Sequence, residues 1–243
     1  MTYSDRHRRP APRALLFDVQ GTATDFYSTV RGEAQRIAAD RVPDVDWDGF
    51  VEAWRAGYST ALQAAARGPA GWASVRAVYR DVLDRIAEQY FLGSLTDADR
   101  DELTQAWEKL RAWPDVPAGL TRLKRRFTVA TLSNADVAAV VNLSKHAGLQ
   151  WDAVFTAEMA RAFKPDPAVY RMAATYLGLP LAEIMMVASH KYDLRGAARL
   201  GCQSAFVARP LELGVGGAVD IAYEDEFDIN ASDFADLADQ LGC

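Results

Sequence analysis

Five short apolar runs punctuate this chain, and between them apolar residues recur at helical spacing. The runs are Leu15 to Phe17, Phe127 to Leu132, Ala153 to Thr156, Ile184 to Ala188 and Ser204 to Ala208, and each predicts a strand. After Thr22 the pattern turns helical. Val51, Trp54, Tyr58 and Leu62 share one helix face, and Val75, Val78, Val82, Leu83, Ile86 and Tyr90 share another. Gly68-Pro69-Ala70-Gly71 separates the two runs. Thr96 with Asp99 three residues on predicts a helix start, and Trp113-Pro114-Asp115-Val116-Pro117 ends the helical region. Helices at Asp136 to His146, Pro167 to Leu177 and Leu194 to Leu200 then alternate with the strands. Repeated strand–helix units predict a parallel sheet. The expected fold class is α/β: a Rossmann-like parallel sheet core from residues 1–23 and 115–243, with a helical cap domain, 24–114, inserted after the first strand.

With 243 residues, 50% of them hydrophobic, the chain can bury the core this architecture needs. Its net charge of −6 argues against nucleic acid as a partner. Arg6-His7-Arg8-Arg9 reads as a loose tail and Lys124-Arg125-Arg126 as a solvated helix end. An acidic protein that binds an anion must gather positive charge locally, so single Arg and Lys residues near the strand ends matter. Cys202 and Cys243 suggest neither a disulfide framework nor a zinc site, and Cys202 reads as a small core residue. No apolar run is long enough for a membrane span or a signal-peptide core, so no membrane partner is expected and the expected location is the cytoplasm.

Four segments follow predicted strands or lie in the connections above them: Asp18-Val19-Gln20-Gly21-Thr22, Ser133-Asn134, Lys164-Pro165 and Ser189-His190-Lys191-Tyr192-Asp193. The carboxyl edge of a parallel sheet is where such side chains converge on a ligand. Asp18 is then a candidate covalent nucleophile. Thr22, Ser133 and Asn134 are candidates to orient it or to bind a carboxylate, Lys164 to neutralise neighbouring acids, and Asp193 to hold or activate a water. Each also has a plainer role. Asp18 can cap the next turn, Ser133-Asn134 can form one, Lys164 can be solvated, and Asp193 can cap a helix. Four such segments in this order are harder to explain that way.

The four segments resemble the motifs of the haloacid dehalogenase superfamily of hydrolases, and the resemblance runs from about Leu15 to Leu237. It implies that Asp18 forms a covalent ester or acyl phosphate and that the helical insertion closes over the substrate. Phosphatases of that superfamily carry a second Asp two residues after the nucleophile, and usually two acids in the last motif for magnesium. Gln20, and Ser189 and His190 ahead of a single Asp193, stand at those places instead. The resemblance therefore points to the metal-free 2-haloacid dehalogenase branch, with no metal and no cofactor. In that branch a cap Arg holds the substrate carboxylate. Arg55 fits, with Tyr58 three residues on along the same helix face, although it also fits a surface Arg on an amphipathic helix. Tyr170, six residues after Lys164, matches a pocket tyrosine or a packed helix residue. Dimers are common in the branch, which implies a homodimer.

Gln20 is unusual for dehalogenases too. Together with the Trp54-Arg55-x-x-Tyr58 and Ser189-His190-x-x-Asp193 patterns it is similar to the cis-epoxysuccinate hydrolases of actinobacteria, a group of the same branch that forms L(+)-tartrate. On that resemblance the expected substrate is a small dicarboxylate epoxide, opened through an Asp18 ester. His190, Tyr170 or Lys164 would assist the ring oxygen, and Asp193, with His190 assisting, would activate the water. The alternatives are an L-2-haloacid dehalogenase using the same Asp18, and a catalytically silent member that binds a dicarboxylate. The expected site is thus Asp18, Asp193, His190, Lys164 and Arg55 for the chemistry, with Thr22, Gln20, Tyr58, Ser133, Asn134, Tyr170 and Ser189 for the substrate.

Overall fold

A computed structural model of the chain describes residues 10–38, 41–42, 44–68, 72–90 and 92–243. The basic stretch Arg6 to Arg9 and the turn residues Pro69, Ala70 and Gly71 lie outside the described residues. Among the described residues no helix is long and apolar enough to cross a membrane.

The first apolar run forms β1 (Ala14–Phe17) at the centre of a six-stranded sheet. Its partners are β4 (Thr128–Ser133), β5 (Ala153–Thr156), β6 (Ile184–Ala188), β7 (Gln203–Val207) and β8 (Ile229–Ala231). The spatial order is β5-β4-β1-β6-β7-β8, and every pairing is parallel. A strand covered on both faces must be apolar on both. Accordingly, Leu16 joins one hydrophobic cluster, while Leu15 and Phe17 join the other. The second cluster lies under α5 (Val116–Leu123) and α10 (Phe234–Gln240). The first lies under α6 (Val137–Ala147), the short α7 (Ala157–Ala160), α8 (Pro167–Leu177) and α9 (Lys191–Ala198), and runs on into the helical insertion.

That insertion comprises α1 (Phe26–Ala38), α2 (Trp47–Arg67), α3 (Val75–Ile86) and α4 (Asp97–Thr104). The apolar faces read from the sequence are its core: Val51, Trp54, Tyr58 and Leu62 of α2 are buried, as are Val75, Val78, Val82 and Leu83 of α3. Thr96 caps α4 in a reciprocal capping box with Asp99, as the spacing predicts.

Several elements depart from the sequence pattern. The chain does not turn helical directly after Thr22. It first forms β2 (Thr24–Asp25), paired antiparallel with β3 (Arg111–Ala112), so the insertion leaves and rejoins the sheet side by side. Asp25 then caps α1, its Oδ1 accepting from the Ser28 N–H at 2.9 Å. Trp113 to Pro117 does not only end a helical region; α5 starts at Val116 with Pro117 in its first turn, where a missing N–H costs nothing. The helix expected from Leu194 begins three residues earlier, at Lys191, which places Asp193 inside its first turn. The strand β8 and helix α10 near the chain end carry no strong pattern of their own, being three and seven residues long.

Candidate active site

Asp18 follows the last residue of β1, and three donors meet its carboxylate. Lys164 Nζ donates to Oδ1 at 2.9 Å; Thr22 Oγ1 and His190 Nδ1 meet Oδ2 at 2.8 and 3.0 Å. Lys164 Nζ also donates to Asp193 Oδ2 at 2.5 Å, so one ammonium bridges two acids, and its side chain is only 1% exposed. Burial would raise the Asp18 carboxyl, but Lys164 and His190 hold it well below the usual carboxylate range. For Asp193 burial wins: Lys164 opposes it only in part, the Asp18 charge adds to it, and the group is pushed up. Asp18 is therefore the stronger acid of the pair and Asp193 the better proton acceptor.

His190 stands as the residue before α9, between Asp18 and a carboxylate that sequence patterns did not single out. Its Nε2 lies 2.7 Å from Glu212 Oε1. Burial opposes a charged ring, yet Glu212 and Asp18 outweigh it and raise the imidazole to about 10. At neutral pH the ring is an imidazolium with both nitrogens donating. In that state the ring has no lone pair to accept a proton from water. Glu212 itself is held low, since His190 overcomes the effect of its burial.

The backbone is shaped to admit this pair. Gly21 has φ +90, and a Cβ there would collide with Glu212 Oε1 and sit 3.2 Å from His190 Cε1. Gly21→Ala is expected to push Glu212 off His190 and to strain the turn after Asp18, costing roughly 1–3 kcal/mol of stability. Thermal unfolding and the alkaline limb of the activity profile report the two effects separately; an unchanged melting temperature with an unchanged limb would contradict this packing.

A cavity of about 650 Å³ opens between the sheet edge and α2. Asp18, Gln20, Arg55, Tyr58, Ser133, Asn134, Lys164 and His190 all line it, so the structure brings these expected residues to one space. Arg55 lies over the rings of Phe26 and Tyr58, with its guanidinium carbon 4.9 and 5.0 Å from their centroids, and Nη1 is 3.5 Å from the Tyr79 hydroxyl. Among the described residues no carboxylate lies within ion-pair distance of it. Asn134 Oδ1 accepts from the Lys164 backbone N–H at 2.8 Å, and Ser133 Oγ accepts from the Ala135 N–H at 3.2 Å.

Four expected residues lie behind the wall instead. Thr22, Tyr170, Ser189 and Asp193 are buried and do not line the cavity. Thr22, Tyr170 and Ser189, named for substrate binding, therefore contact the acids and one another rather than the cavity, and Thr22 does so as a group orienting Asp18 would. Thr22 Oγ1 donates to Asp18 and accepts from the Ser189 N–H at 2.9 Å, and Tyr170 donates to Asp193 Oδ1 at 2.6 Å. Such shapes fix the acids rather than touch a ligand. Gln20 is tied down as well, its Oε1 accepting from the Tyr79 hydroxyl at 3.0 Å. Besides Glu212, sequence reading missed Tyr79 and the cavity residue Tyr192. Glu212 had a signal: it follows the fifth predicted strand, as the four recognised segments follow theirs. Tyr79 had none, because its helical spacing reads as core.

Comparison with known proteins agrees with this geometry. The model of the haloacid dehalogenase-like hydrolase family matches residues 12–201. The (S)-2-haloacid dehalogenase of Xanthobacter autotrophicus is 30% identical over 209 residues, 81% of this chain and 75% of that protein. The (S)-2-haloacid dehalogenase of Pseudomonas sp. (strain YL) is 33% identical over 113 residues; that match spans about half of the relative, 49%. Among solved structures, the L-2-haloacid dehalogenase PA0810 superposes with a TM-score of 0.89 at 38% identity, covering 95% of this chain and 100% of that one. The chain belongs to the haloacid dehalogenase-like hydrolase family.

Proposed function

We propose that this hydrolase acts on small 2-substituted carboxylic acids through a covalent ester on Asp18, and that L-2-haloacids are its substrate class. One observation carries the reading: a buried carboxylate held in its charged form faces a cavity that also holds a guanidinium with no carboxylate in ion-pair distance among the described residues. Arg55 would clamp the substrate carboxylate and Asp18 would displace halide from the adjacent carbon. The helical insertion, 24–114, would act as a cap over the core, because the clamp sits on α2 and the nucleophile on the sheet. Asp193, raised by burial, would take the proton of the water that opens the ester. The similarity to (S)- and L-2-haloacid dehalogenases supports the haloacid as substrate.

A second reading, opening of cis-epoxysuccinate to tartrate, is favoured by the number of cations. Arg55, Arg67 and the imidazolium of His190 all line the cavity, and a dianion uses more than one. The comparisons put the haloacid ahead of it. Parallel assays separate the two: halide from L-2-chloropropionate supports the first reading, and tartrate from the epoxide without halide release supports the second.

Arg55→Ala is expected to cost about 2–5 kcal/mol of transition-state binding if it loses a desolvated ion pair. That is a fall of roughly 30- to 5,000-fold in kcat/KM. Steady-state kinetics unchanged in both KM and kcat would remove Arg55 from the site.

A further inference from the structure

We infer that Thr22 and His190, with Glu212 positioning His190, form the oxyanion hole for the second half of the reaction, the hydrolysis of the Asp18 ester. The inference rests on the covalent-ester reading and assigns which oxygen does what. Each carboxylate oxygen has two in-plane lone pairs. Among the described residues Oδ2 has both committed, to Thr22 Oγ1 at 2.8 Å and His190 Nδ1 at 3.0 Å, whereas Oδ1 meets only Lys164 Nζ at 2.9 Å. Oδ1 therefore has the free lone pair and attacks the substrate carbon. Once it is alkylated, Oδ2 is the ester carbonyl oxygen, already held by two donors.

Water adds to Cγ of Asp18 while Asp193 takes one of its protons, and the electron pair of the Cγ–Oδ2 π bond moves onto Oδ2. Thr22 and His190 receive that charge in place, with no reorganisation. The intermediate collapses by breaking Cγ–Oδ1. The departing hydroxyl oxygen of the product takes a proton from Lys164, and Asp193 returns its proton to Lys164. The regenerated Asp18 acid releases its proton to solvent.

Neighbouring contacts aim both donors. The Thr22 hydroxyl accepts from the Ser189 N–H at 2.9 Å, which leaves its own proton for Oδ2. Glu212 anchors the far nitrogen of His190 at 2.7 Å, and Gly21 leaves the room for it. Glu212 touches no reacting atom and is a positioning residue.

The test is rapid-quench mass spectrometry of the Asp18 adduct, run in parallel with L-2-chloropropionate and cis-epoxysuccinate. The proteins are wild type, Thr22→Val, Thr22→Ser, His190→Asn and Glu212→Gln. The expected result is selective slowing of ester breakdown by roughly 10²- to 10³-fold in Thr22→Val and His190→Asn. Adduct then accumulates towards one per site, and Thr22→Ser, which keeps the hydroxyl, restores breakdown relative to Thr22→Val. Glu212→Gln slows breakdown less and moves the alkaline limb of that step to lower pH. Among the described residues Asp18 and Glu212 meet the two ring nitrogens and Tyr192 of α9 lies 5.9 Å from the ring centroid, with Arg55 and Lys164 lining the same cavity, and only Glu212 changes. Equal slowing of ester formation and breakdown, with no accumulation, would overturn the oxyanion role while leaving the ester intact. Absence of adduct in every protein with both substrates would overturn the ester reading and this inference with it.

Discussion

Asp18→Asn is expected to lower turnover by a factor on the order of 10⁴ or more, as loss of a covalent nucleophile does. The substitution keeps the shape of the side chain and the contacts to Thr22, so folding survives while the attacking charge is gone. Lys164 keeps Asp193 as an anionic partner. Circular dichroism and a thermal melt close to wild type, with no product beyond background, is the predicted pattern. Turnover within about tenfold of wild type would mean that the acid at the end of β1 is not the nucleophile.

Lys164→Met should do the greatest harm to the fold. Lys164 is the ammonium shared by two buried acids, and removing one member of a buried ion cluster leaves charge without compensation, at about 3–5 kcal/mol. The pH dependence has a definite sign. Wild-type Asp18 is depressed, so it contributes stability above the ordinary carboxylate range and loses it as pH falls through the depressed one. Without Lys164 both acids shift upward and one takes a proton. The stability gap between variant and wild type therefore begins to narrow where the variant's raised acids take up protons, above the ordinary carboxylate range, and goes on narrowing as pH falls through that range. Denaturant unfolding at several pH values measures it, and a gap that is constant with pH would contradict the shared-cation picture.

Much of the fold was legible because its signals are local. The apolar runs of β1, β5 and β6 and the Pro-started helix α8 each sit within a few residues, and the order of strands and helices implies a parallel sheet. The pairing of Thr24 with Ala112 was not legible, since it joins positions far apart through two-residue strands. The same divide runs through the site. Strand-end position led to Asp18, Asn134, Lys164 and His190, all of which meet in the cavity. Depth behind the wall is a property of packing, so Thr22, Tyr170 and Ser189 could be named but not placed. Glu212 escaped because it gains meaning only through His190, and the protonation of His190 depends on that contact.

The most direct test of the Asp18 ester is a single turnover in H₂¹⁸O with enzyme in excess over L-2-chloropropionate, followed by mass spectrometry of the product and of the Asp18 peptide. Hydrolysis at Cγ leaves the label in Asp18 and an unlabelled 2-hydroxy acid, which is the predicted result. Labelled product with an unlabelled Asp18 would mean that water attacks the substrate carbon directly, and would contradict the covalent mechanism.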